Sequence, residues 1–199
     1  TVCSEMHHAL EVSNMAVLIS KELGKDEKFC DDIAVAGVLH DIGKLRVNRY
    51  VYSDESDDTL VVEQMKYVRM HSAYSRDILR DANYPENVIE AVYHHHENYD
   101  GSGYPDGLKG TDIPEMSRIL RTCDVFSALI SYRKAFDKKT AMAIMIDEVE
   151  DYDMEVFLAF QRVFHDDKFP EIRNLQDMAS EIQMENLKVF EEEALKGNY

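Results

Sequence analysis

Residues 36–44 read AGVLHDIGK, an apolar run that ends in an adjacent histidine and aspartate, His40 and Asp41. An imidazole nitrogen and a carboxylate side by side can bind one metal ion or two neighbouring ions. The two oxygens of Asp41 could bridge ions about 3.5–4 Å apart, a spacing typical of two-metal phosphoester sites. The alternative is a helix that ends at Gly43, with a hydrogen-bonded His40 and a solvated Asp41. The pair alone does not decide between these interpretations.

Periodic apolar positions on both sides of this stretch predict helices. Residues 5–23 and 26–40 have mostly helical spacing, and Gly24 ends the first helix as C-terminal glycines commonly do. Gly37 should allow close packing near the His40–Asp41 pair. Further helices are expected at residues 60–80, from Pro85 to the histidines at 94–96, and at 115–132, 139–150, 152–164 and 175–195.

Two stretches lack helical periodicity. Residues 47–59 contain turn residues and an acidic patch, which predict a loop. Residues 97–114, ENYDGSGYPDGLKGTDIP, are rich in glycine and proline and predict a long structured loop, a class that is usually functional or disordered. No strand-like alternation is long enough to support a strand. We therefore predict an all-α bundle of roughly seven or eight helices.

The composition fits one compact unit. With 199 residues, 45% of them hydrophobic, we predict a main domain at residues 1–150 and a C-terminal helical extension at 151–199 packed on it. The three cysteines form no CxxC, which favours a reducing, cytoplasmic setting. We expect neither a membrane span nor a signal sequence. Because the chain begins with Thr1 rather than methionine, it could be a piece of a longer protein.

The charge limits the choice of partners. A formal net charge of −17 repels a nucleic-acid backbone, so duplex nucleic acid is not expected to bind. An anionic substrate would need locally placed cations, and metal ions are the obvious candidates.

Histidines and aspartates that could hold metal are spread over several predicted helices. Each has a simpler explanation when taken alone: His71 could be a surface histidine, and Asp124 could pair with a neighbouring arginine. Successive helical residues point about 100° apart, so His95 and His96 could both face inward only where their helix ends or distorts. As a set, imidazole and carboxylate donors without a thiolate suit iron, manganese or zinc. The candidates are His8, His40, Asp41, His71, His95, His96 and Asp124.

Three motifs follow one another along the chain: HDIGK at residues 40–44, HHENYDGSGYP at 95–105 and GLKGTDIP at 107–114. These motifs, together with the spacing of the candidate ligands, resemble those of the HD superfamily of metal-dependent phosphohydrolases. Within that superfamily they resemble the HD-GYP domains. The resemblance extends over residues 5–145. It implies an HD-superfamily helical bundle with the metal site in its core. It also implies hydrolysis of cyclic di-GMP, a bacterial second messenger, at a site with two or three metals.

The resemblance implies roles for individual residues. His40 and Asp124 resemble the ligands of one metal and His71, His95 and His96 those of the other, with Asp41 as the bridging carboxylate and His8 as the early histidine. Lys44 resembles a lysine that polarises the phosphate or positions the nucleophile, which makes Asp41 and Lys44 the expected catalytic pair. The expected substrate-binding residues are Lys44, Gly103, Tyr104, Pro105, Lys109 and Arg133.

Several positions depart from the family pattern. Ser4 stands where three-metal members have glutamate, and Glu5 is one position off. Glu11 replaces a usual arginine, and Ser127 replaces a common aspartate. Two short stretches also differ, Val47-Asn48 for Ile-Pro and Arg133-Lys134-Ala135 for Arg-Pro-Tyr. The ligands for two metals are intact, so these changes bear on a third metal and on substrate more than on hydrolysis.

We therefore expect a phosphodiesterase in which a hydroxide between two divalent ions attacks phosphorus in line. Iron or manganese is expected first, with zinc, nickel or magnesium as alternatives. The expected partner is a cyclic dinucleotide, cleaved to linear pGpG and in a further step to GMP. Sensor or receiver domains in a longer chain and a homodimer through the last helix are further expected partners.

Two other functions stay open. One is a general HD nucleotide phosphohydrolase, which the GYP loop disfavours. The other is a weakly active cyclic-dinucleotide sensor or interaction module, which the altered positions around Ser127 and Arg133 keep open.

Overall fold

The structure is a computed structural model that describes residues 2–51, 68–131 and 136–165. Its helices are α1 Val2–Glu22, α2 Glu27–Leu39, α3 Lys44–Val51, α4 His71–Asp81, α5 Glu86–Tyr93, α6 Glu115–Ser131, α7 Lys138–Asp147 and α8 Met154–His165. Two short 3-10 turns, Gly110–Asp112 and Val149–Asp151, complete the regular structure of these ranges, which contain no strand. The all-α prediction is confirmed. The helix predicted at residues 175–195 lies outside the described residues.

Helices α1 and α2 pack as an antiparallel pair whose ends follow from local sequence. Gly24 adopts a left-handed φ of +72°, and the backbone N–H of Lys25 donates to the carbonyl of Ser20 at 3.0 Å. A Cβ on Gly37 would lie 2.6 Å from the Cα of Ser13, so the predicted close packing at this glycine is confirmed. The pairing brings the first half of α1, with His8, beside the C-terminal end of α2.

The prediction of a loop at residues 47–59 is wrong for its first part. Residues 40–43 form a turn after α2, and α3 starts at Lys44 and continues to Val51. Val47 is buried, and α3 packs on α4. Burial of this apolar position outweighs the turn preference of its polar neighbours. The rest of the predicted loop lies outside the described residues.

The hydrophobic core joins α1, α2, α5 and α6 with α8. Phe126 of α6 packs edge-on against Phe160 of α8, with ring centroids 5.0 Å apart, and both side chains are fully buried. The start of the predicted 151–199 extension thus shares the core of the preceding residues. The domain boundary at residue 150 stays a prediction, because 166–199 lie outside the described part. Of the helices that the structure describes, none is both long and apolar enough to cross a membrane.

Candidate metal centre

Separate segments present the predicted ligands. His8 lies on α1, the His40–Asp41 pair in the turn after α2, and Asp124 on α6; His71 is the first residue of α4. Helix α5 ends at Tyr93, so His95 and His96 follow it in a turn. Their ring centroids are only 4.0 Å apart. Two adjacent histidines were expected to face inward only where their helix ends or distorts, and the helix does end just before them.

The donor atoms fall into two groups that share Asp41. One group is Asp41, His71, His95 and His96, and the other is His8, His40 and Asp41. Within each group, one donor atom per residue lies within 4.8 Å of the others. Oδ2 of Asp41 is 3.3 Å from Nε2 of His40, and its Oδ1 is 3.2 Å from Nε2 of His71. Asp41 thus turns one oxygen towards each group, as a bridging carboxylate must.

Asp124 adds a second carboxylate from α6. Its Oδ1 lies 3.0 Å from Nε2 of His8 and 3.7 Å from Nε2 of His40. Its Oδ2 lies 3.8 Å from Nδ1 of His96, in the other group. The structure therefore brings the whole predicted ligand set together.

Main-chain carbonyls orient three of the histidines. Nδ1 of His40, His71 and His95 lies 2.7, 2.5 and 2.6 Å from the carbonyl oxygen three residues earlier. A carbonyl can only accept, so Nδ1 carries a hydrogen in each of these rings, and Nε2 is the nitrogen that is left to bind a metal. Such outer hydrogen bonds are the usual way in which proteins prepare histidine for a metal.

The donor set fits a divalent cation. Nε2 of His40 and Oδ1 of Asp41 are buried and have no hydrogen-bond partner among the described residues, an arrangement that is costly unless a cation satisfies them. Nε2 of His71 lies 3.4 Å from Nε2 of His95 and 3.0 Å from Nε2 of His96. Nitrogens bound to one ion at about 2.1 Å are separated by about 3.0–3.4 Å, so these distances agree with shared coordination.

Burial and neighbouring charge act in opposite directions on the ionisable groups. Burial opposes ionisation of Asp41, but His40 and Lys44 outweigh it and hold the pKa of Asp41 well below its usual value. Burial also disfavours a charged His40, yet Asp41 and Asp124 raise its pKa to about 9. Burial lowers the pKa of His96 to about 3, which keeps this ring neutral and available as a ligand.

The turn that carries the His40–Asp41 pair is held by two neighbours. Nζ of Lys44 lies 2.5 Å from Oδ2 of Asp41 and places a positive charge beside the bridging carboxylate. The hydroxyl of Ser75 accepts from the backbone N–H of Gly43 at 2.8 Å and donates to the carbonyl of His40 at 3.0 Å. Sequence reasoning missed Ser75; its position four residues after His71, on the same helix face, is the signal that could have indicated it.

The GYP motif lies directly against the histidines. The ring of Tyr104 stacks on His96, with centroids 4.8 Å apart and 27° between the planes. A Cβ on Gly103 would lie 2.2 Å from the backbone nitrogen of Asn98, so only glycine fits there. Pro105 follows Tyr104 through a cis peptide bond. These contacts place Tyr104 beside the candidate metal centre.

A buried carboxylate organises the rest of this loop. Glu97, 1% exposed, accepts hydrogen bonds from the backbone N–H groups of Asp106, Gly107 and Leu108 at 2.7, 3.1 and 3.1 Å. This role was not predicted from the sequence, although a glutamate directly after the candidate ligands and before a glycine-rich loop was a signal for it. Glu97 thus ties the loop to the end of α5.

Two predicted substrate contacts are not placed at the cluster. Lys109 is exposed, and its side chain lies beside Gly101. Arg133 lies outside the described residues. Both remain predictions.

The sequence of this chain is similar to an HD domain model and to several proteins named as phosphodiesterases. The HD domain model matches residues 3–156. The cyclic di-GMP phosphodiesterase response regulator RpfG of Xanthomonas campestris is 34% identical over 139 residues, covering 67% of this chain and 36% of that protein. The 3'3'-cGAMP-specific phosphodiesterase 3 of Vibrio cholerae is 32% identical over 162 residues, covering 79% and 35%. A cyclic di-GMP phosphodiesterase of Thermotoga maritima is 31% identical over 163 residues, covering 78% and 44%. The chain therefore spans less than half of the length of these relatives.

Solved structures show the same fold. A cyclic GMP-AMP specific phosphodiesterase from Vibrio cholerae superposes with a TM-score of 0.69 at 15% identity, over 91% of this chain and 50% of that one. An HDG"Y"P protein from Bdellovibrio bacteriovorus gives a TM-score of 0.65 at 20% identity, over 80% and 52%. With the matched motifs and the family model, these findings confirm the resemblance drawn from the sequence: the chain belongs to the HD domain family, in its HD-GYP branch.

Proposed function

We propose that this chain is the metal-dependent phosphodiesterase unit of a signalling protein and that it hydrolyses cyclic di-GMP. The observation that carries the proposal is Asp41, which turns one oxygen to each of two histidine groups. Relatives named as phosphodiesterases of cyclic di-GMP and of 3'3'-cGAMP support a cyclic dinucleotide as the substrate class. Because both kinds are similar to this chain, 3'3'-cGAMP is the alternative substrate within that class.

The residues divide into ligands and substrate contacts. One ion would be held by His8, His40, Asp41 and Asp124, and the other by Asp41, His71, His95 and His96. Bound iron or manganese, or else zinc, nickel or magnesium, would supply an activated water and positive charge for the phosphoryl oxygens. Lys44 adds a fixed positive charge beside Asp41, which matters in a chain of net charge −17. Tyr104 presents an aromatic ring to a base of the substrate.

The proposal is tested first by metal analysis and turnover. Protein purified without chelator should contain close to two ions per chain, as measured by mass spectrometry of the metals, and should hydrolyse cyclic di-GMP after loading with manganese or iron. Chelator-treated protein is the control and should be inactive. No metal in any preparation, including crystals soaked in manganese, would contradict the proposal.

The same assay separates the other functions. Faster hydrolysis of mononucleotides than of cyclic dinucleotides would favour a general HD phosphohydrolase. Binding of cyclic di-GMP without turnover would favour a sensor or interaction module. A side-by-side rate for 3'3'-cGAMP identifies the preferred dinucleotide.

The product should be linear pGpG, because the position that would hold a third ion is altered. Ser4 stands at that position in the sequence, but its side chain lies outside the described part; among the described residues, Glu5 belongs to neither donor group. A third cation would be most useful for a second cleavage. Chromatography of a reaction run well past one turnover should show pGpG accumulating. Rapid conversion to GMP would contradict this and would point to Glu5 as a ligand.

The wider context of the chain is proposed from its sequence. We propose a cytoplasmic location, sensor or receiver domains in a longer chain, and a homodimer through residues 175–195, which lie outside the described residues.

A further inference from the structure

His8 is oriented by a side chain, unlike the three histidines whose Nδ1 meets a main-chain carbonyl. Its Nδ1 lies 2.9 Å from the hydroxyl oxygen of Ser127, one turn after Asp124 on α6. A hydroxyl can donate or accept, so Ser127 by itself does not determine which ring nitrogen of His8 carries the hydrogen. This choice matters because only an unprotonated Nε2 can bind a metal.

Glu11 removes the ambiguity. It lies one turn after His8 on α1 and is only 4% exposed. Its Oε2 accepts from the hydroxyl of Ser127 at 2.8 Å and from that of Ser131 at 3.0 Å. A carboxylate only accepts, and Ser127 has a single hydroxyl hydrogen, which this bond uses. The oxygen of Ser127 must then accept from Nδ1–H of His8.

We propose that Glu11, acting through Ser127, is a positioning residue that fixes His8 in the Nδ1–H tautomer and so aims an unprotonated Nε2 at the metal centre. That nitrogen lies 3.0 Å from Oδ1 of Asp124 and 4.0 Å from Oδ2 of Asp41. A lone pair among carboxylate oxygens is stable when a cation lies between them. The inference rests on the metal-binding part of the proposed function and is independent of the substrate.

The hydrogen-bonded series from Glu11 through Ser127 to His8, here called the relay, contains two residues that are unusual for the family. Glu11 and Ser127 are two of the positions at which the chain departs from the family pattern, and they are 116 residues apart. Because Glu11 and Ser127 are hydrogen-bonded to each other, the two departures from the family pattern form one unit and are not independent changes. A change at either position therefore acts on His8.

The alternative is that these hydrogen bonds only join α1 to α6. Ser131 can distinguish the joining of helices from the orientation of His8. Its hydroxyl donates to the same oxygen of Glu11, but it makes no hydrogen bond to His8, which is bonded to Ser127. Ser131→Ala is thus the matched control: it removes a helix-joining hydrogen bond and leaves the relay to His8 in place.

The test compares Glu11→Leu with Ser131→Ala. Leucine has no acceptor, so the hydroxyl hydrogen of Ser127 becomes free to donate to Nδ1 of His8, which leaves the hydrogen of the neutral ring on Nε2. Competition with a chelator reports zinc affinity, and imidazole nitrogen chemical shifts of 15N-labelled, zinc-loaded protein report which nitrogen of His8 carries the hydrogen and which binds zinc. Glu11→Leu should lose the His8 signature of Nδ1–H with zinc-bound Nε2 and bind zinc about 10–100-fold more weakly, whereas Ser131→Ala should match the wild type in both measurements.

A rescue variant strengthens the test. Adding Ser127→Asp to Glu11→Leu places a carboxylate directly at Nδ1 and should restore Nδ1–H and part of the zinc affinity. If Glu11→Leu does not fold, Ser127→Ala replaces it and should show the same loss of zinc affinity.

Two results would overturn the inference: a zinc-loaded Glu11→Leu protein that keeps Nδ1–H on His8 and wild-type zinc affinity, or an equal loss of zinc affinity in Ser131→Ala. A wild-type protein that binds no metal would contradict the proposed function and this inference with it, whereas unchanged zinc affinity in Glu11→Leu contradicts the inference alone.

Discussion

Asp41→Ala is expected to remove both metal ions and to lower phosphodiester turnover by at least about 10³-fold. The carboxylate of Asp41 is the group whose two oxygens face the two histidine clusters, at 3.3 Å from His40 and 3.2 Å from His71. Its loss leaves each cluster one donor short. Metal content per chain and the rate on cyclic di-GMP, measured on the same preparation, give both effects.

Lys44→Ala is the matched comparison, since Lys44 contacts the same carboxylate without being a ligand. This variant should keep its metal and slow turnover by about 10²-fold, as expected for the loss of one charge that stabilises the transition state. An Asp41→Ala protein with two metal ions and a normal rate would show that the bridging assignment is wrong. Loss of metal in Lys44→Ala would show that this lysine organises the site.

Gly43→Ala is expected to lower the free energy of unfolding by more than about 4 kcal/mol and to prevent metal binding. The added Cβ would lie 2.1 Å from the carbonyl oxygen of His71 and 2.6 Å from the backbone nitrogen of Ser75. Both atoms belong to the backbone of α4 and cannot move as a side chain can. The turn must therefore separate from α4, which parts Asp41 from His71.

Gly24→Ala controls for the loss of a glycine as such. Gly24 has a φ of +72°, and no atom of the part of the chain that the structure describes lies within 4 Å of its added Cβ. Its replacement should cost about 1 kcal/mol of backbone strain and leave metal content unchanged. Urea unfolding and metal analysis of both variants provide the comparison. Equal stability losses in the two proteins would contradict the steric account of Gly43.

Local sequence predicted most helix ends and the residues that the structure brings together in the candidate metal centre. Gly24 ends α1 as predicted. Helix α2 begins one residue after the predicted start, Asp26, whose carboxylate caps it by accepting from the backbone N–H of Phe29 at 2.8 Å. These signals act over a few residues, so they can be recognised without the fold. The HDIGK and HHENYDGSGYP motifs predicted the donors in the same way, because metal binding demands particular side chains and these are visible in the sequence.

Local signals failed where burial opposed them. Residues 47–51 have loop-like neighbours, yet they belong to α3 because Val47 is buried where α3 packs on α4. The sequence did not indicate which face of this segment would be covered. Only packing against another helix decided that it is helical.

Tertiary structure alone decided how the site is supported. Ser75 holds the turn at Gly43 across 32 residues, and Glu11 reaches Ser127 across 116. Such contacts depend on how helices are placed relative to one another, which is set by the packing of the whole core rather than by spacing along the chain. The sequence by itself determined which atoms can bind metal. The fold determined which oxygen of Asp41 faces each cluster, and which nitrogen of His8 faces the metal centre.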